Sequence, residues 1–259
     1  MIPKKIHYCW FGGKEKPESV KRCLRSWKTH LPDYEIIEWN ENNFHINSYV
    51  FVKEAYNSGK FGFIVDVLRM YVLKQQGGIY LDTDVEFIRP LPEKFLDESA
   101  FGCYEVDNLL NVGLIASEKN GKFVNDILKL YENKHFLKED GSLNTEDTGP
   151  KIATEFLKQK AYKLEGKQEC KDNYFNVFPA DYFSPKDYKT GLCEITDNTV
   201  CIHLYDASWV DNKTLGIFYN NQKKNRVIKA IKDCESFMTK RAILGLVRRT
   251  LNIKLKDFL

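Results

Sequence analysis

The sequence predicts an α/β fold in which short strands and amphipathic helices alternate along the chain. Segments rich in β-branched and aromatic residues are separated by stretches whose apolar residues recur at helical spacing. The 259 residues are 43% hydrophobic and 14% aromatic, which is enough apolar material for a sizeable globular core. Such alternation predicts a mainly parallel sheet, whose ligands bind beyond the carboxyl ends of the strands.

Each element has a local signal. Strands are predicted at residues 4–9, 34–39, 79–82, 100–104 and 113–116. Helices are predicted at residues 19–30, 50–58, 64–75, 122–133 and 150–159. In the first helix Val20, Leu24 and Trp27 share one face, and Gly77-Gly78 ends the third helix. Residues 111–113 and 144–150 are interpreted as loops that face a substrate, although Thr148-Gly149-Pro150 also suits a helix start.

Cysteine usage and hydropathy point to an intracellular protein. The seven cysteines form no CxxC pair or regular framework, so we expect reduced and mostly buried thiols. No run reaches the roughly 18 apolar residues that span a bilayer, and the start lacks the apolar core of a signal peptide. We therefore expect a cytoplasmic location.

The segment from Phe63 to Val85 carries the clearest chemical signal. It ends in Asp82-Thr83-Asp84, and because strand side chains alternate, Asp82 and Asp84 project to one side. Adjacent carboxylates repel each other unless a hard divalent cation lies between them. Mg²⁺ or Mn²⁺ held in this way completes its shell with water and phosphate oxygens, which predicts a diphosphate-bearing substrate. The alternative is a solvated turn without a metal.

Asp66 and Arg69 lie three residues apart in the apolar helix that precedes this strand, so they share one face. One interpretation is a buried ion pair within the helix. The other is a pair that binds a polar ligand in a cleft, because ionised groups are rarely buried without partners.

Three motifs resemble one known family. They are Ile6-His7-x-x-Trp10-x-Gly12, then Asp66-x-x-Arg69 with Gly77-Gly78-x-Tyr80-x-Asp82-x-Asp84, and His203-x-x-x-x-Ser208-Trp209. In this order they resemble the DXD-containing glycosyltransferases of family 32, which include bacterial capsular polysaccharide enzymes and are similar at their core to glucosylating bacterial toxins. The resemblance covers roughly residues 2 to 210.

The resemblance implies a GT-A type, Rossmann-like nucleotide-sugar-binding domain over residues 1–220. The implied activity is retaining, metal-dependent transfer of a sugar from a nucleotide-sugar, with UDP favoured, to a glycan or lipid-linked acceptor in capsular polysaccharide synthesis. Two rivals stay open, a metal-dependent phosphohydrolase and a non-enzymatic carbohydrate- or membrane-binding module.

The resemblance also implies residue roles. Trp10 beside Gly12 would stack on the nucleobase, the alternative being a core tryptophan. Asp66 and Arg69 would bind donor-sugar hydroxyls, with Asp82 near the ribose or sugar. Asp84 would be the principal ligand of Mn²⁺ or Mg²⁺, joined by His203, for which a core histidine is the alternative. The resemblance also implies that Tyr80, Ser208 and Trp209 help to bind the nucleotide-sugar donor.

The end of the chain differs from the rest in charge. From Gln222 onward there are eleven Lys or Arg and three acidic residues, a net charge of +8 within a chain whose total is +3. Its apolar residues recur at helical spacing, which predicts a basic amphipathic helical extension over residues 221–259. This extension either lies on an anionic membrane surface or packs on the domain. Nucleic acid is not expected, because no binding module accompanies the charge.

Overall fold

The computed structural model describes residues 1–105, 108–206, 216, 219–226 and 228. By spatial proximity the chain divides into two units. The first comprises Met1–Lys186 with Glu194–Trp209, and the second comprises Asp187–Cys193 with Val210–Leu259. The predicted α/β class is confirmed in the first unit.

The described elements of the first unit match most predicted segments to within a few residues. The strands are β1 Lys5–Cys9, β2 Glu35–Trp39, β3 Gly78–Leu81, β4 Val85–Phe87, β5 Ala100–Tyr104, β6 Leu110–Ser117, β7 Glu169–Cys170, β8 Asn176–Phe178 and β9 Cys201–His203. The helices are α1 Glu18–His30, α2 Val50–Asn57, α3 Phe61–Gln76, α4 Lys122–Lys129, α5 Gly149–Gln159 and α6 Ala180–Phe183, with 3₁₀ turns at Ile46–Ser48 and Glu93–Asp97.

Seven of these strands form one mixed sheet in the order β2-β1-β3-β6-β5-β8-β7, and β4 pairs with β9 in a second sheet. Strand β1 is parallel to β2 and β3, but β6 is antiparallel to both β3 and β5. The prediction of a mainly parallel sheet is therefore wrong. A parallel neighbour needs a long crossover, whereas only residues 105–109 join β5 to β6.

Two apolar layers cover the opposite faces of the sheet. Along β3, Ile79 and Leu81 belong to one buried cluster and Tyr80 to the other, as strand alternation requires. Helix α1 joins the first cluster through Cys23 and Trp27. The Trp27 indole also donates to the Val85 carbonyl oxygen at 2.7 Å, which fixes β4 against α1. Of the described cysteines, none is in a disulfide and most are buried, as predicted: Cys9, Cys23, Cys103 and Cys201 are buried, and Cys170 and Cys193 are exposed.

His7 connects β1 to the glycine turn before β3. Its side chain is fully buried, with Nε2 donating to the Gly77 carbonyl oxygen at 2.8 Å and Nδ1 accepting from the Trp39 indole at 3.1 Å. At Gly78, with φ of +112°, a Cβ atom would lie 2.6 Å from the Lys5 carbonyl oxygen. This turn therefore requires glycine. Burial lowers the pKa of His7 to about 4, although the hydrogen bond to Gly77 opposes the shift.

We expect His7 to make the fold sensitive to acid. Its pKa is about 4 in the folded protein and near 6.5 ordinarily, so below about pH 6.5 the unfolded chain takes up the proton first and stability falls. Between pH 7 and 4 the wild type should lose about 3 kcal/mol more unfolding free energy than a His7→Gln variant. Urea unfolding at both pH values measures the difference, and parallel losses in the two proteins would contradict it.

In the second unit the beginning of the C-terminal extension is helical, over residues 219–226. Three of its side chains donate to consecutive carbonyl oxygens: Gln222 to Tyr188 at 2.7 Å, Asn225 to Lys189 at 3.1 Å and Arg226 to Thr190 at 3.1 Å. Most of the predicted extension, residues 221–259, lies outside the described residues, and its amphipathic character stays a prediction. Among the helices that the structure describes, none has the length and hydropathy to cross a bilayer.

Candidate active site

The sheet brings the first and second sequence motifs to one edge. Strands β1 and β3 are parallel neighbours, with His7 opposite Tyr80. Trp10 directly follows β1 and Asp82 directly follows β3, so the two residues lie at the carboxyl ends of adjacent strands. The second sheet adds the third motif, because Val85 of β4 pairs with His203 of β9. Residues 10–13 and 82–84 thus follow the carboxyl ends of β1 and β3, where ligands of such sheets bind.

Asp82, Asp84 and His203 form a cluster whose ligand atoms lie within 4.8 Å of one another. His203 Nε2 is 3.3 Å from Asp84 Oδ1, and Asp84 Oδ2 accepts a hydrogen bond from the Asp206 amide at 3.0 Å. Mg²⁺ binds its ligands at about 2.1 Å, which allows ligand atoms to be up to about 4.2 Å apart. Two carboxylates and an imidazole suit Mn²⁺ or Mg²⁺, so the residues fit the predicted cation after a small movement.

The electrostatics of Asp84 and His203 are coupled. Burial alone would raise the pKa of Asp84, but the nearby His203 and the Asp206 amide outweigh it and lower that pKa. Burial likewise opposes a charge on His203, yet the Asp84 carboxylate raises its pKa. The imidazole must give up its Nε2 proton to bind a cation, so cation and proton compete at this atom.

Behind the cluster, Arg69 lies between two carboxylates. Its Nη2 is 3.4 Å from Asp66 Oδ1 and 3.7 Å from Asp82 Oδ1, and the Arg69 and Asp66 side chains are only 5% and 8% exposed. The guanidinium also donates to the Val65 carbonyl oxygen at 3.1 Å and to the Val112 carbonyl oxygen. Burial opposes its charge, but Asp82 and Asp66 outweigh this and raise the pKa of Arg69.

Asp66 links α3 to the beginning of α5. Its Oδ2 accepts a hydrogen bond from the Gly149 amide at 3.0 Å, at the positive end of that helix. Burial raises the pKa of Asp66 to about 6, against the opposing effects of Arg69 and this amide. A Cβ atom at position 149 would lie 2.3 Å from Asp66 Oδ1, so only glycine fits there.

An irregularity in β6 supplies the remaining contacts. Phe101 of β5 pairs with Ala116 of β6, and the next recognised pair is Cys103 with Asn111. One residue of β5 and four residues of β6 lie between these two pairs, so β6 has three extra residues there. Such a bulge frees backbone groups from the ladder. The Val112 carbonyl oxygen accepts from Arg69, and the Gly113 carbonyl oxygen accepts from the Asp82 amide at 2.8 Å. The interpretation of residues 111–113 as a loop is therefore wrong, because they belong to this bulged strand.

The predicted donor-binding residues occupy different environments. Trp10 is partly buried, its indole N–H donates to the Lys14 carbonyl oxygen at 2.6 Å, and the Lys16 ammonium is 5.7 Å from its ring. The Gly12 amide donates to Glu41 at 2.6 Å. Tyr80 is 1% exposed, with its ring centre 5.1 Å from the Arg69 guanidinium carbon. Ser208 and Trp209 lie outside the described residues.

Sequence reasoning placed Asn111 and Gly149 in substrate-facing segments but did not identify their partners. Asn111 contacts His203, and Gly149 contacts Asp66. For Asn111 a signal exists, because a polar residue and a glycine interrupt the otherwise apolar run 109–116, which is typical of a bulge. For Gly149 only the helix-start pattern is visible, and it does not indicate the partner.

The fold and site define an α/β protein with a carboxylate–histidine cluster at the carboxyl edge of its sheet. The chain belongs to the family of the capsular polysaccharide synthesis protein, whose profile matches residues 1–144. This membership confirms the resemblance seen in the first two motifs, which lie within the matched residues.

Similar proteins include several glycosyltransferases. "Uncharacterized glycosyltransferase L373" of Acanthamoeba polyphaga mimivirus is 27% identical over 238 residues, which cover 86% of this chain and 90% of that protein. "Inositol phosphoceramide mannosyltransferase 3" of Schizosaccharomyces pombe is 35% identical over 94 residues, or 35% of this chain and 26% of that protein. The solved structure "PaToxG Glycosyltransferase" superposes with a TM-score of 0.48 at 21% identity, covering 61% of this chain and 69% of that one. The chain spans 25 to 26% of the length of three curated relatives that it matches.

Proposed function

We propose that this chain is a cation-dependent glycosyltransferase of GT-A type. It transfers a sugar from a nucleotide-sugar, with UDP favoured, to a hydroxyl of a glycan or lipid-linked saccharide in surface or capsular polysaccharide synthesis. The observation that carries the proposal is the cluster of Asp82, Asp84 and His203 beside the buried Asp66–Arg69 pair. Family membership and the glycosyltransferases among its relatives support it.

In this proposal Asp84 and His203 hold Mn²⁺ or Mg²⁺, with Asp82 as a further ligand. The cation supplies electrostatic stabilisation of the diphosphate that departs from the sugar. Trp10 offers only its ring face to the nucleobase, because its N–H already donates to Lys14. Ser208 and Trp209 approach the diphosphate, a role that rests on the motif resemblance alone.

The free hydrogen-bonding groups of Arg69, Asp66 and Asp82 indicate which of these residues can bind the sugar. Arg69 directs Nε and Nη1 to carbonyl oxygens and Nη2 to two carboxylates, so few of its donors remain. Asp66 and Asp82 keep acceptor capacity, because a carboxylate can accept about four hydrogen bonds. We therefore propose that Asp66 and Asp82 accept from sugar hydroxyls, while Arg69 pairs with both carboxylates and orients them.

A donor panel tests the proposal. We expect one or a few UDP- or GDP-sugars to release nucleoside diphosphate with Mn²⁺ and to show little release with EDTA, measured by coupled assay. With an acceptor supplied, NMR of the product should show the anomeric configuration of the donor retained. Release of free phosphate from phosphoesters would instead favour the phosphohydrolase, and binding without turnover would favour a carbohydrate- or membrane-binding module.

The basic extension is proposed to hold the enzyme on the cytoplasmic face of the membrane, where a lipid-linked acceptor is presented. Each basic residue near an anionic surface contributes about 1 kcal/mol, screened by salt. Full-length protein should sediment with phosphatidylglycerol-containing vesicles at low salt but not with pure phosphatidylcholine vesicles. Changing Lys240, Arg241, Arg248 and Arg249 to Gln should weaken this binding and leave donor hydrolysis intact. Equal sedimentation of both proteins would exclude the role.

A further inference from the structure

Asn111 is the polar residue that the bulge of β6 places against His203. It is 1% exposed, and its Oδ1 accepts from the Gly113 amide at 2.7 Å, which sets the orientation of the side-chain amide in this structure. The amide nitrogen therefore faces the other way, 3.1 Å from His203 Nδ1 and 2.9 Å from Ser184 Oγ. It also lies 3.3 Å from the Tyr205 hydroxyl.

The His203 ring is held on further sides. Tyr205 stacks on it with ring centres 4.0 Å apart and planes inclined by 28°. Gly113 lies close to its edge, where a Cβ atom would be 2.8 Å from His203 Cε1. With Nδ1 bound to Asn111, the remaining nitrogen, Nε2, faces Asp84 Oδ1 at 3.3 Å. The direction in which Nε2 points is thus set by groups that do not belong to the Asp82, Asp84 and His203 cluster.

We infer that Asn111 is the positioning residue that orients His203 and so sets the affinity of the cation cluster. This inference rests on the proposed function. A histidine that binds a metal ion usually donates the N–H of its second nitrogen to a neighbouring acceptor, and loss of that partner typically costs about 10- to 100-fold in metal affinity. Asn111 occupies the position of that partner from a strand interior, where the bulge brings the Gly113 amide to its oxygen.

An amide suits the position because it can present either its nitrogen or its oxygen. With the amide nitrogen facing it, Nδ1 accepts, and a neutral ring then carries its proton on Nε2. If Nε2 bound a cation the proton would lie on Nδ1, and the Asn111 amide would have to rotate, giving up its contact with the Gly113 amide, for its oxygen to accept that proton. The Ser184 and Tyr205 hydroxyls can exchange donor and acceptor roles in the same way. A carboxylate at position 111 could partner only the cation-bound ring.

The experiment compares Asn111→Leu, Asn111→Asp and Ser184→Ala with the wild type and with Asp84→Asn. Mn²⁺ alone is the probe, and its binding is followed by the EPR signal of free Mn²⁺. We expect Asn111→Leu to weaken binding about 10- to 100-fold and Asn111→Asp to bind at least as tightly as the wild type. Ser184→Ala removes one partner of the Asn111 amide but keeps the contact between Asn111 and His203, so it should weaken binding by less than Asn111→Leu does.

A second readout needs no metal. Long-range ¹H–¹⁵N NMR should report a proton on His203 Nε2 in the wild type and a changed tautomer mixture in Asn111→Leu, with His203→Gln providing the assignment. Wild-type affinity in Asn111→Leu, with thermal unfolding unchanged, would overturn the inference while leaving the cation site standing. Mn²⁺ binding that is equally absent from the wild type and Asp84→Asn would overturn the cation site and the inference together.

Discussion

Asp84→Asn is expected to lower Mn²⁺-stimulated release of nucleoside diphosphate by about 10²- to 10³-fold, because catalysis by charge stabilisation then loses its principal ligand. The neutral amide keeps the size of the side chain, so the fold should persist. The substitution also weakens the contact between residue 84 and His203 Nε2, which is 3.3 Å long in the wild type. The cation is left with two of its three expected ligands. Initial rates over a Mn²⁺ titration, with circular dichroism of both proteins, measure the effect.

Glu86→Gln is the matched control. Glu86 lies two residues further along the chain in β4, and its carboxylate is 3.3 Å from Arg22 Nε, apart from the cation cluster. Its neutralisation should leave the rate within about twofold, because partly exposed ion pairs contribute little. Wild-type activity and Mn²⁺ dependence in Asp84→Asn would refute the assignment of Asp84.

Arg69→Met is expected to destabilise the protein by about 3 to 5 kcal/mol, because it leaves the buried Asp66 and the neighbouring Asp82 without the positively charged guanidinium that pairs with them. The carbonyl oxygens of Val65 and Val112 lose their donor as well. Because methionine fills part of the same volume, the loss is electrostatic more than steric. Equilibrium unfolding in urea, monitored by tryptophan fluorescence, measures it.

Arg22→Met provides the comparison, since Arg22 pairs with Glu86 at the surface and is 52% exposed. Its loss should cost at most about 1 kcal/mol. Asp66→Asn separates the structural from the chemical role of the pair: it should lower turnover by more than it weakens binding of free nucleoside diphosphate. An Arg69→Met protein as stable as the wild type would show that the pair is not needed for the fold.

The parts of the site that follow one another in the chain could be predicted from the sequence. Between Phe61 and Asp84 a helix, a glycine turn, a strand and two carboxylates follow one another, and each has a signal in its own short stretch of sequence. The apolar periodicity identifies the helix and the strand. The adjacency of Trp10 and Asp82 also follows from two strands that end at a common edge. These inferences need only local pattern and the geometry of parallel pairing.

The contacts between distant segments could not be predicted. Gly149 meets Asp66 across 83 positions of sequence, and Asn111 meets His203 across 92. Both depend on the direction of β6 and the position of α5, which are set by packing over the whole sheet. The short strands β4, β7, β8 and β9 were missed because two or three residues show no reliable alternation.

The three-residue ladder between β4 and β9 has a consequence for synthesis of the protein. On a ribosome, Asp82 and Asp84 emerge long before Cys201–His203, so the cation cluster cannot be complete until β9 has joined β4. A divalent ion that binds only the completed cluster stabilises this late pairing by mass action, by about 2.7 kcal/mol at a concentration of one hundred times its dissociation constant. Available Mn²⁺ or Mg²⁺ would then influence how firmly β9 is held, and with it how readily the nascent chain is degraded.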